Sequence, residues 1–210
     1  MSVISQGDDP VERSPGYERK RREVLRGAAL VFYRHGFAAG TTKEIAAEVG
    51  LSQPAIYHYV GSKNELLRQI ALQVDHDILA SLDAADPTAP AGEQLRAIIE
   101  AFVVAVVENK ETFAVYWKEL DSSLPADVQV VIRKDEKVFI GHLAKLVGEL
   151  QAEGAFPAGA PTTLVTEALV GMVCWMSHWY RPTASLDPAA IAGVFCDLVG
   201  VPRPSGTPPT

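Results

Sequence analysis

The stretch from 41 to 63, TTKEIAAEVGLSQPAIYHYVGSK, constrains the fold of this chain more than any other. Thr41 and Glu44 have the spacing of a capping box, in which a Thr side chain caps a helix start and a Glu three residues later reaches back to it. Gly50 stands where a left-handed residue commonly ends a helix, and Ser52 offers a second N-cap. Two short helices joined by a tight turn that contains Gly form a helix-turn-helix pattern.

The second of these helices carries side chains that can read DNA. From spacing alone the pattern also fits any small helical hairpin inside an all-α core. Ile56 is the clearest core residue of this helix, however, whereas Gln53 can pair with adenine and Ala55 can touch a thymine methyl group. The predicted DNA-binding residues are Thr42, Lys43, Ser52, Gln53, Pro54, Ala55, Tyr57, His58, Tyr59 and Lys63.

Residues 32–67 resemble the N-terminal domain of TetR-family transcriptional regulators. The matching motifs, in order, are His35-Gly36-Phe37, Thr41-Thr42, Ile45-Ala46, Gly50-Leu51-Ser52, Tyr57-His58-Tyr59 and Ser62-Lys63-Asn64-Glu65-Leu66. Leu51 and Val60 stand where the family usually has Val and Phe, and both keep an apolar side chain. The resemblance implies an all-α regulator with an N-terminal three-helix helix-turn-helix head. A C-terminal helical domain for ligand binding and dimerisation would follow it.

The charge distribution agrees with a DNA-binding head. The whole chain carries a formal net charge of −7. Residues 17–70 contain nine Lys or Arg and five Asp or Glu, a net charge of +4, whereas residues 71–210 contain nine and eighteen, a net charge of −9. A positive head attracts DNA phosphates, and an acidic body discourages non-specific binding.

The chain reads as about nine helices, with no strand pattern or repeat. The predicted parts are a mobile arm (1–16), the DNA-binding domain (17–66), the ligand-binding and dimerisation domain (67–200) and a Pro-rich disordered tail (201–210). A helix from 62 to about 82 should connect head and body. The later helices are expected at 92–109, 110–120, 125–153, 161–181 and 187–200. No secretory signal or apolar run of membrane length is found, so a cytoplasmic protein without membrane contact is expected.

The helix at 161–181 is apolar on two sides, which predicts burial on two sides. One side is assigned to a homodimer interface shared with the last helix. The interface residues are predicted to be Leu164, Val165, Leu169, Val173, Met176, Tyr180, Ile191, Val194, Phe195 and Leu198. The resemblance implies the same arrangement, since TetR-family dimers use their last two long helices. A two-fold dimer predicts a palindromic double-stranded DNA operator.

The other side of this helix should face a pocket for a small hydrophobic effector. The predicted ligand-binding residues are Phe102, Phe113, Tyr116, Trp117, Arg133, Lys137, Phe139, Met172, Trp175 and Trp179, although each aromatic residue would serve equally well as core. The segment MVCWMSHWYRP resembles TetR-family regulators of fatty-acid and sterol degradation, which respond to CoA thioesters. That likeness implies an acyl group in the pocket, with Arg133, Lys137 or Arg181 at the CoA phosphates.

Two alternatives remain open at this stage. A sensor of cationic or aromatic drugs that controls efflux would use buried acids such as Asp135 or Glu119 as counter-charges, whereas a regulator of another kind would leave Asp135 exposed or paired with Lys118.

An all-α carrier or enzyme is the alternative of another class. No phosphate-binding Gly loop, nucleophile elbow or metal-ligand set is found, and Cys174 and His178 lack a third ligand. We therefore expect no enzyme activity, metal or cofactor.

Overall fold

The computed structural model describes residues 14–120, 122–156, 159–181 and 187–203. Every regular element within these residues is helical, as predicted. The elements are α1 (Pro15–His35), α2 (Thr42–Glu48), α3 (Gln53–Val60), α4 (Lys63–Ala80), a 3₁₀ turn (Ser81–Ala84), α5 (Ala91–Glu108), α6 (Lys110–Glu119), α7 (Ala126–Ala152), α8 (Thr162–Trp179) and α9 (Pro188–Leu198). The predicted arm and tail lie largely outside the described residues.

The first four helices begin at side-chain caps, whereas α5 to α9 have no side-chain cap among the described residues. The Thr41–Glu44 capping box is confirmed: Thr41 Oγ1 accepts from Glu44 N at 3.2 Å, and the Glu44 carboxylate accepts from Thr41 N at 2.8 Å. These hydrogen bonds to Thr41 hold the pKa of Glu44 below its usual range. Ser62 and Glu65 have the same spacing, but only half of a capping box forms there: Ser62 Oγ accepts from Glu65 N, whereas the Glu65 carboxylate accepts from Arg68 and Gln69. The arm also ends earlier than predicted, since Ser14 caps α1.

The first four helices enclose the core of the head. Phe32, Ile45, Ile56 and Leu66 bring one fully buried side chain each from α1, α2, α3 and α4. Helix α1 passes so close to the end of α2 that a Cβ built at Gly27 would lie 2.3 Å from the Val49 side chain. Only Gly permits this approach, and it fixes the angle at which the helix-turn-helix meets the rest of the head.

Helix α4 joins the head to the body. Its first half buries Leu66, Leu67 and Ile70 in the head core, and its second half packs against α7 and α5. Helix α5 is the central helix of the body and contacts α7, α8 and α9. An ion pair between Arg96 of α5 and Asp197 of α9 (2.6 Å) fastens the last helix to it. None of the helices described is both long and apolar enough to cross a membrane.

Candidate nucleic-acid interface and effector cavity

Helix α3 presents a polar face to solvent. Ser52 caps it, with Oγ accepting from Ala55 N at 3.4 Å, and Ile56 and Val60 anchor its inner side in the head core. Among the predicted DNA-binding residues, those with exposed side chains are Lys43, Ser52, Gln53, Pro54, Tyr57 and His58. A short helix anchored on one face and polar on the other is suited to lie in a DNA major groove.

Thr42 has a different place from the one predicted. Its side chain is buried, where Oγ1 accepts a hydrogen bond from Gln53 Nε2 at 2.8 Å and lies 3.3 Å from the Tyr57 hydroxyl. The direct contact of Thr42 with DNA stays a prediction, and in this structure the hydroxyl faces α3 rather than solvent. Thr42 instead fixes the positions of Gln53 and Tyr57 before DNA arrives.

Lys63 and Tyr59 are also held by the protein. Lys63 Nζ donates to the Ala38 carbonyl at 3.1 Å and stands 4.7 Å from the centre of the Phe37 ring. Tyr59 is half-buried, with its ring centre 5.0 Å from that of Tyr17. The Tyr17 hydroxyl donates to backbone carbonyls at the end of α3, a role that the sequence analysis missed.

A separate cavity of about 210 Å³ lies in the body between α4 and α8. Most of its wall is apolar or aromatic. The lining residues are Asp75, Ile78, Leu79, Phe102, Tyr116, Trp117, Asp135, Glu136, Phe139, Ile140, Glu167, Val170, Gly171 and Cys174. Because α4 supplies Asp75, Ile78 and Leu79, an occupant would press directly on the helix that leads into the head.

Acidic groups give this cavity its chemical character. The carboxyl groups of Asp75 and Asp135 share a hydrogen bond. Burial of Asp75, this hydrogen bond, and the charges of Asp135 and Glu136 raise the pKa of Asp75 to about 7. Glu167 is a further acid in the wall, and the described lining residues include no Lys or Arg. The cavity therefore has a negative potential and holds a proton that an ordinary aspartate would have lost.

The uncharged polar groups of the wall stay protonated. Burial, together with the charges of Asp75 and Glu136, raises the pKa of Tyr116 above its usual range. Its hydroxyl has no hydrogen-bond partner among the described residues. Burial likewise raises the pKa of the Cys174 thiol to about 12. Tyr116 therefore offers an unoccupied donor and acceptor inside an acidic cavity.

The cavity includes only some of the predicted ligand-binding residues. Phe102, Tyr116, Trp117 and Phe139 line it. Phe113 is core, Met172 is half-buried outside the wall, and Trp175 and Trp179 are 61% and 42% exposed. Arg133 and Lys137 lie on the exposed side of α7, away from the cavity wall. Asp135, expected to be exposed or paired with Lys118, instead lines the cavity and forms no ion pair with Lys118.

The two faces of α8 are exchanged relative to the prediction. Leu169, Val173 and Met176 are fully buried inside the subunit, and Tyr180 and Ile191 are nearly so, which excludes them from direct contact with a second copy. Val165 and Phe195 are half-buried. The assignment failed because both stripes of α8 are apolar, so periodicity alone could not show which one turns inward.

An apolar surface nevertheless remains on the last two helices. Leu164, Val194 and Leu198 are 64%, 51% and 71% exposed, and Trp175 and Trp179 lie on the same outer side of α8 as Leu164. The Trp175 ring stacks on His178 with their centres 4.3 Å apart. We call this set of five apolar residues the α8–α9 face. Several large exposed apolar side chains on two helices that contact each other are typical of a protein–protein contact.

Comparison with known proteins identifies the family. Residues 24–70 match the bacterial regulatory proteins of the tetR family, and residues 88–200 match the tetracyclin repressor-like C-terminal domain. The chain belongs to the TetR family. Its members are transcriptional regulators and not enzymes, so the predictions of an all-α DNA-binding regulator without enzyme activity are confirmed.

Individual relatives are similar over nearly the whole chain. The transcriptional repressor KstR2 of Rhodococcus jostii is 24% identical over 90% of this chain and 94% of its own length. The crystal structure of PfmR from Thermus thermophilus is 27% identical, covers 86% of this chain and 99% of its own, and has a TM-score of 0.74. AibR, solved with isovaleryl coenzyme A and operator DNA, is 20% identical over 88% of this chain and 100% of its own, with a TM-score of 0.71. The AibR likeness shows the shared fold alone.

Proposed function

We propose that this protein is a homodimeric repressor that leaves its operator when a small apolar effector enters the cavity between α4 and α8. The observation that carries the proposal is the path of α4. Leu66, Leu67 and Ile70 are buried in the head core, whereas Asp75, Ile78 and Leu79 of the same helix line the cavity. An occupant that shifts the second half of α4 must also shift the head.

The DNA contacts are assigned to the exposed side of α2 and α3. Gln53, held by Thr42 in the free protein, is the proposed base-reading residue, and Ala55 and Tyr57 lie beside it on α3. Lys43 is the exposed cation of α2 and is proposed to bind phosphate. Lys63 would contact phosphate after exchanging its bond to the Ala38 carbonyl for one to DNA. Ser52, Pro54, His58 and Tyr59 complete the proposed interface.

Dimerisation is assigned to the α8–α9 face. Pairing of this face with its two-fold copy would bury Leu164, Val194 and Leu198, which no other element of the described chain covers. A two-fold dimer would place two α3 helices in successive major grooves, about 34–36 Å apart. The acidic body and basic head would then orient the dimer on the duplex.

A CoA thioester is the first effector class proposed. It is supported by the resemblance of MVCWMSHWYRP to regulators that respond to such compounds and by the fold shared with AibR, which was solved with isovaleryl coenzyme A. Phe102, Trp117 and Phe139 would enclose the acyl group. The CoA phosphates would have to stay outside, because the acidic wall repels them and no described Lys or Arg lines the cavity.

An apolar cation is the second class, and the cavity itself favours it. Four carboxyl groups, those of Asp75, Asp135, Glu136 and Glu167, line an otherwise aromatic and aliphatic space. An opposite charge stabilises the ionised form of such groups, whereas an anionic ligand would meet uncompensated repulsion. This observation supports the cationic-drug sensor that the sequence left open as an alternative, with Asp135 but not Glu119 in the cavity wall.

Native mass spectrometry of the protein from its expression host, followed by operator release, would test the proposal. A co-purified acyl-CoA or cationic aromatic compound would identify the class, and titration of that compound against the protein–operator complex should release the DNA. Long-chain acyl-CoA or isovaleryl-CoA that binds without releasing DNA would contradict the thioester assignment. A protein that stays on its operator with every bound compound would contradict the proposal as a whole.

The DNA assignments have their own test. Gln53→Ala should relax base preference, whereas Lys43→Ala should weaken all duplexes about equally and reduce the salt slope of binding by about 1. Fluorescence anisotropy with operator and scrambled duplexes at several salt concentrations would measure both effects. An unchanged base preference in Gln53→Ala would show that another residue reads the sequence.

A further inference from the structure

The Asp75–Asp135 pair brings two carboxyl groups from different helices together in the cavity wall. Asp75 lies on α4 and is 6% exposed, and Asp135 lies opposite on α7. Both side chains line the same cavity, and a hydrogen bond between two carboxyl groups requires that one of them carries a proton, so this contact favours a proton held between the two helices. Neither acid forms an ion pair with a described Lys or Arg.

Every titratable group that faces the pair within the described cavity is acidic or neutral. Glu136 comes from α7, Tyr116 from α6, and Glu167 and Cys174 from α8, whereas the α5 residue of the wall is Phe102. The pair therefore has no protein cation to compensate its charge. The described residues also include no group of three or more acids, His or Cys arranged to hold a metal ion.

We propose that the Asp75–Asp135 pair is a monocation site, occupied by a proton in the free protein and by the ammonium group of an apolar amine in the liganded protein. The inference rests on the proposed function in taking this cavity as the effector site, and it selects the cation over the thioester. The ammonium N–H groups would donate to both carboxylates and to the Tyr116 oxygen. The aromatic wall of Phe102, Trp117 and Phe139 would enclose the apolar part.

Exchange of the proton for an ammonium group has a measurable consequence. As the amine enters, the shared proton leaves to solvent, so the charge of the occupied pair is conserved. Proton and amine therefore compete, and amine affinity must rise with pH. With a pKa of about 7 for Asp75, amine affinity should be about tenfold higher at pH 8 than at pH 6. Simple alkylamines stay protonated throughout this range, as Lys does.

Three probes that differ only in their terminal group would test the site: 4-phenylbutylamine, 4-phenylbutanol and 4-phenylbutyrate. Isothermal titration calorimetry at pH 6 and pH 8, in two buffers of different ionisation enthalpy, gives both affinity and protons released. We expect the amine to bind at least tenfold more tightly than the alcohol at pH 8 and to release close to one proton at pH 6. The alcohol should release none, and the butyrate should bind most weakly.

Asp135→Asn is the diagnostic variant, and Asp127→Asn is its matched control because Asp127 is exposed near the start of the same helix, outside the cavity. Asp135→Asn should lose proton release and the preference for amine over alcohol, and Asp127→Asn should keep both. Asp75→Asn provides the same test if Asp135→Asn fails to fold. Equal affinity for amine and alcohol, tightest binding of the butyrate, or amine binding without proton release in the wild type would overturn the proposal.

Operator release distinguishes this inference from the proposed function. If isovaleryl-CoA or the alcohol releases operator DNA while the amine does not bind, the repressor assignment stands and the monocation site is wrong. If the amine binds with proton release but the operator complex persists, the monocation site stands and the coupling through α4 is wrong.

Discussion

Replacement of Asp75 by Asn should make the protein more stable at pH 8 than the wild type, with a smaller effect at pH 5. Burial, then the hydrogen bond to Asp135, raises the pKa of Asp75 from 3.8 to about 7. The folded chain therefore retains a proton that the unfolded chain loses, and stability falls as pH rises through this window. Asn is uncharged at every pH, so the variant does not undergo this loss.

The magnitude follows from the size of the shift. One pKa unit corresponds to about 1.4 kcal/mol, so a change from 3.8 to about 7 amounts to about 4 kcal/mol in total. About 3 kcal/mol of this loss in stability falls between pH 5 and pH 8, because the folded Asp75 gives up its proton in that interval. The stability of Asp75→Asn relative to wild type should thus increase by about 2–3 kcal/mol across this interval.

Urea unfolding at pH 5 and pH 8 would measure this difference, with protomer concentration held constant because dimer stability depends on it. Asp127→Asn, exposed on α7, is the control and should show no such pH-dependent change. A difference between wild type and Asp75→Asn that is the same at both pH values would refute the reasoning, since it would mean that Asp75 titrates normally.

Three further outcomes follow from the packing. Gly27→Ala should destabilise the head by about 1–3 kcal/mol, measured by thermal unfolding, because the added Cβ would lie 2.3 Å from the Val49 side chain. Leu198→Asp should convert the dimer to monomer in light scattering, whereas Val130→Asp, equally exposed but on α7, should leave it dimeric. Cys174, with its pKa raised to about 12 by burial, should resist iodoacetamide at pH 8 until urea is added, and rapid native labelling would contradict its burial.

The head could be predicted closely because its signals are local. The capping box at Thr41, the left-handed Gly50 (φ +64°) and the Ser52 cap depend on neighbours within a few residues, and all three are present in the structure. The burial of Thr42 could not be predicted, for the opposite reason. Its hydroxyl meets Gln53 and Tyr57 across the helix-turn-helix, a contact that spacing along the chain does not reveal.

The helices of the body could be predicted from the sequence, but not which face of each helix turns inward. Helix α8 is apolar on two sides, and its inner stripe of Leu169, Val173 and Met176 is as apolar as a core stripe should be, but so is much of the stripe that contains the tryptophans. The larger Trp side chains turned outward, against the expectation that aromatic residues line the pocket. A charged residue on one stripe would have decided the orientation.

The acidic cavity depends on contacts distant in sequence. Asp75 and Asp135 are 60 positions apart in the sequence and meet only when α4 packs on α7. Asp135 interrupts the apolar stripe of α7, which was the one signal available, but nothing in the sequence pairs it with Asp75. A buried carboxyl pair requires both the tertiary contact and a retained proton, and neither can be recognised from a pattern in the sequence.

Selection of duplexes from a random DNA pool by the purified protein would test the central claim most directly. A two-fold dimer that reads DNA with α3 predicts enrichment of a palindrome whose half-site centres lie about 34–36 Å apart, one helical turn, or a multiple of it. Bound DNA should also be lost steeply as salt is raised. Enrichment of no sequence, or of a single half-site without its inverted copy, would contradict the account.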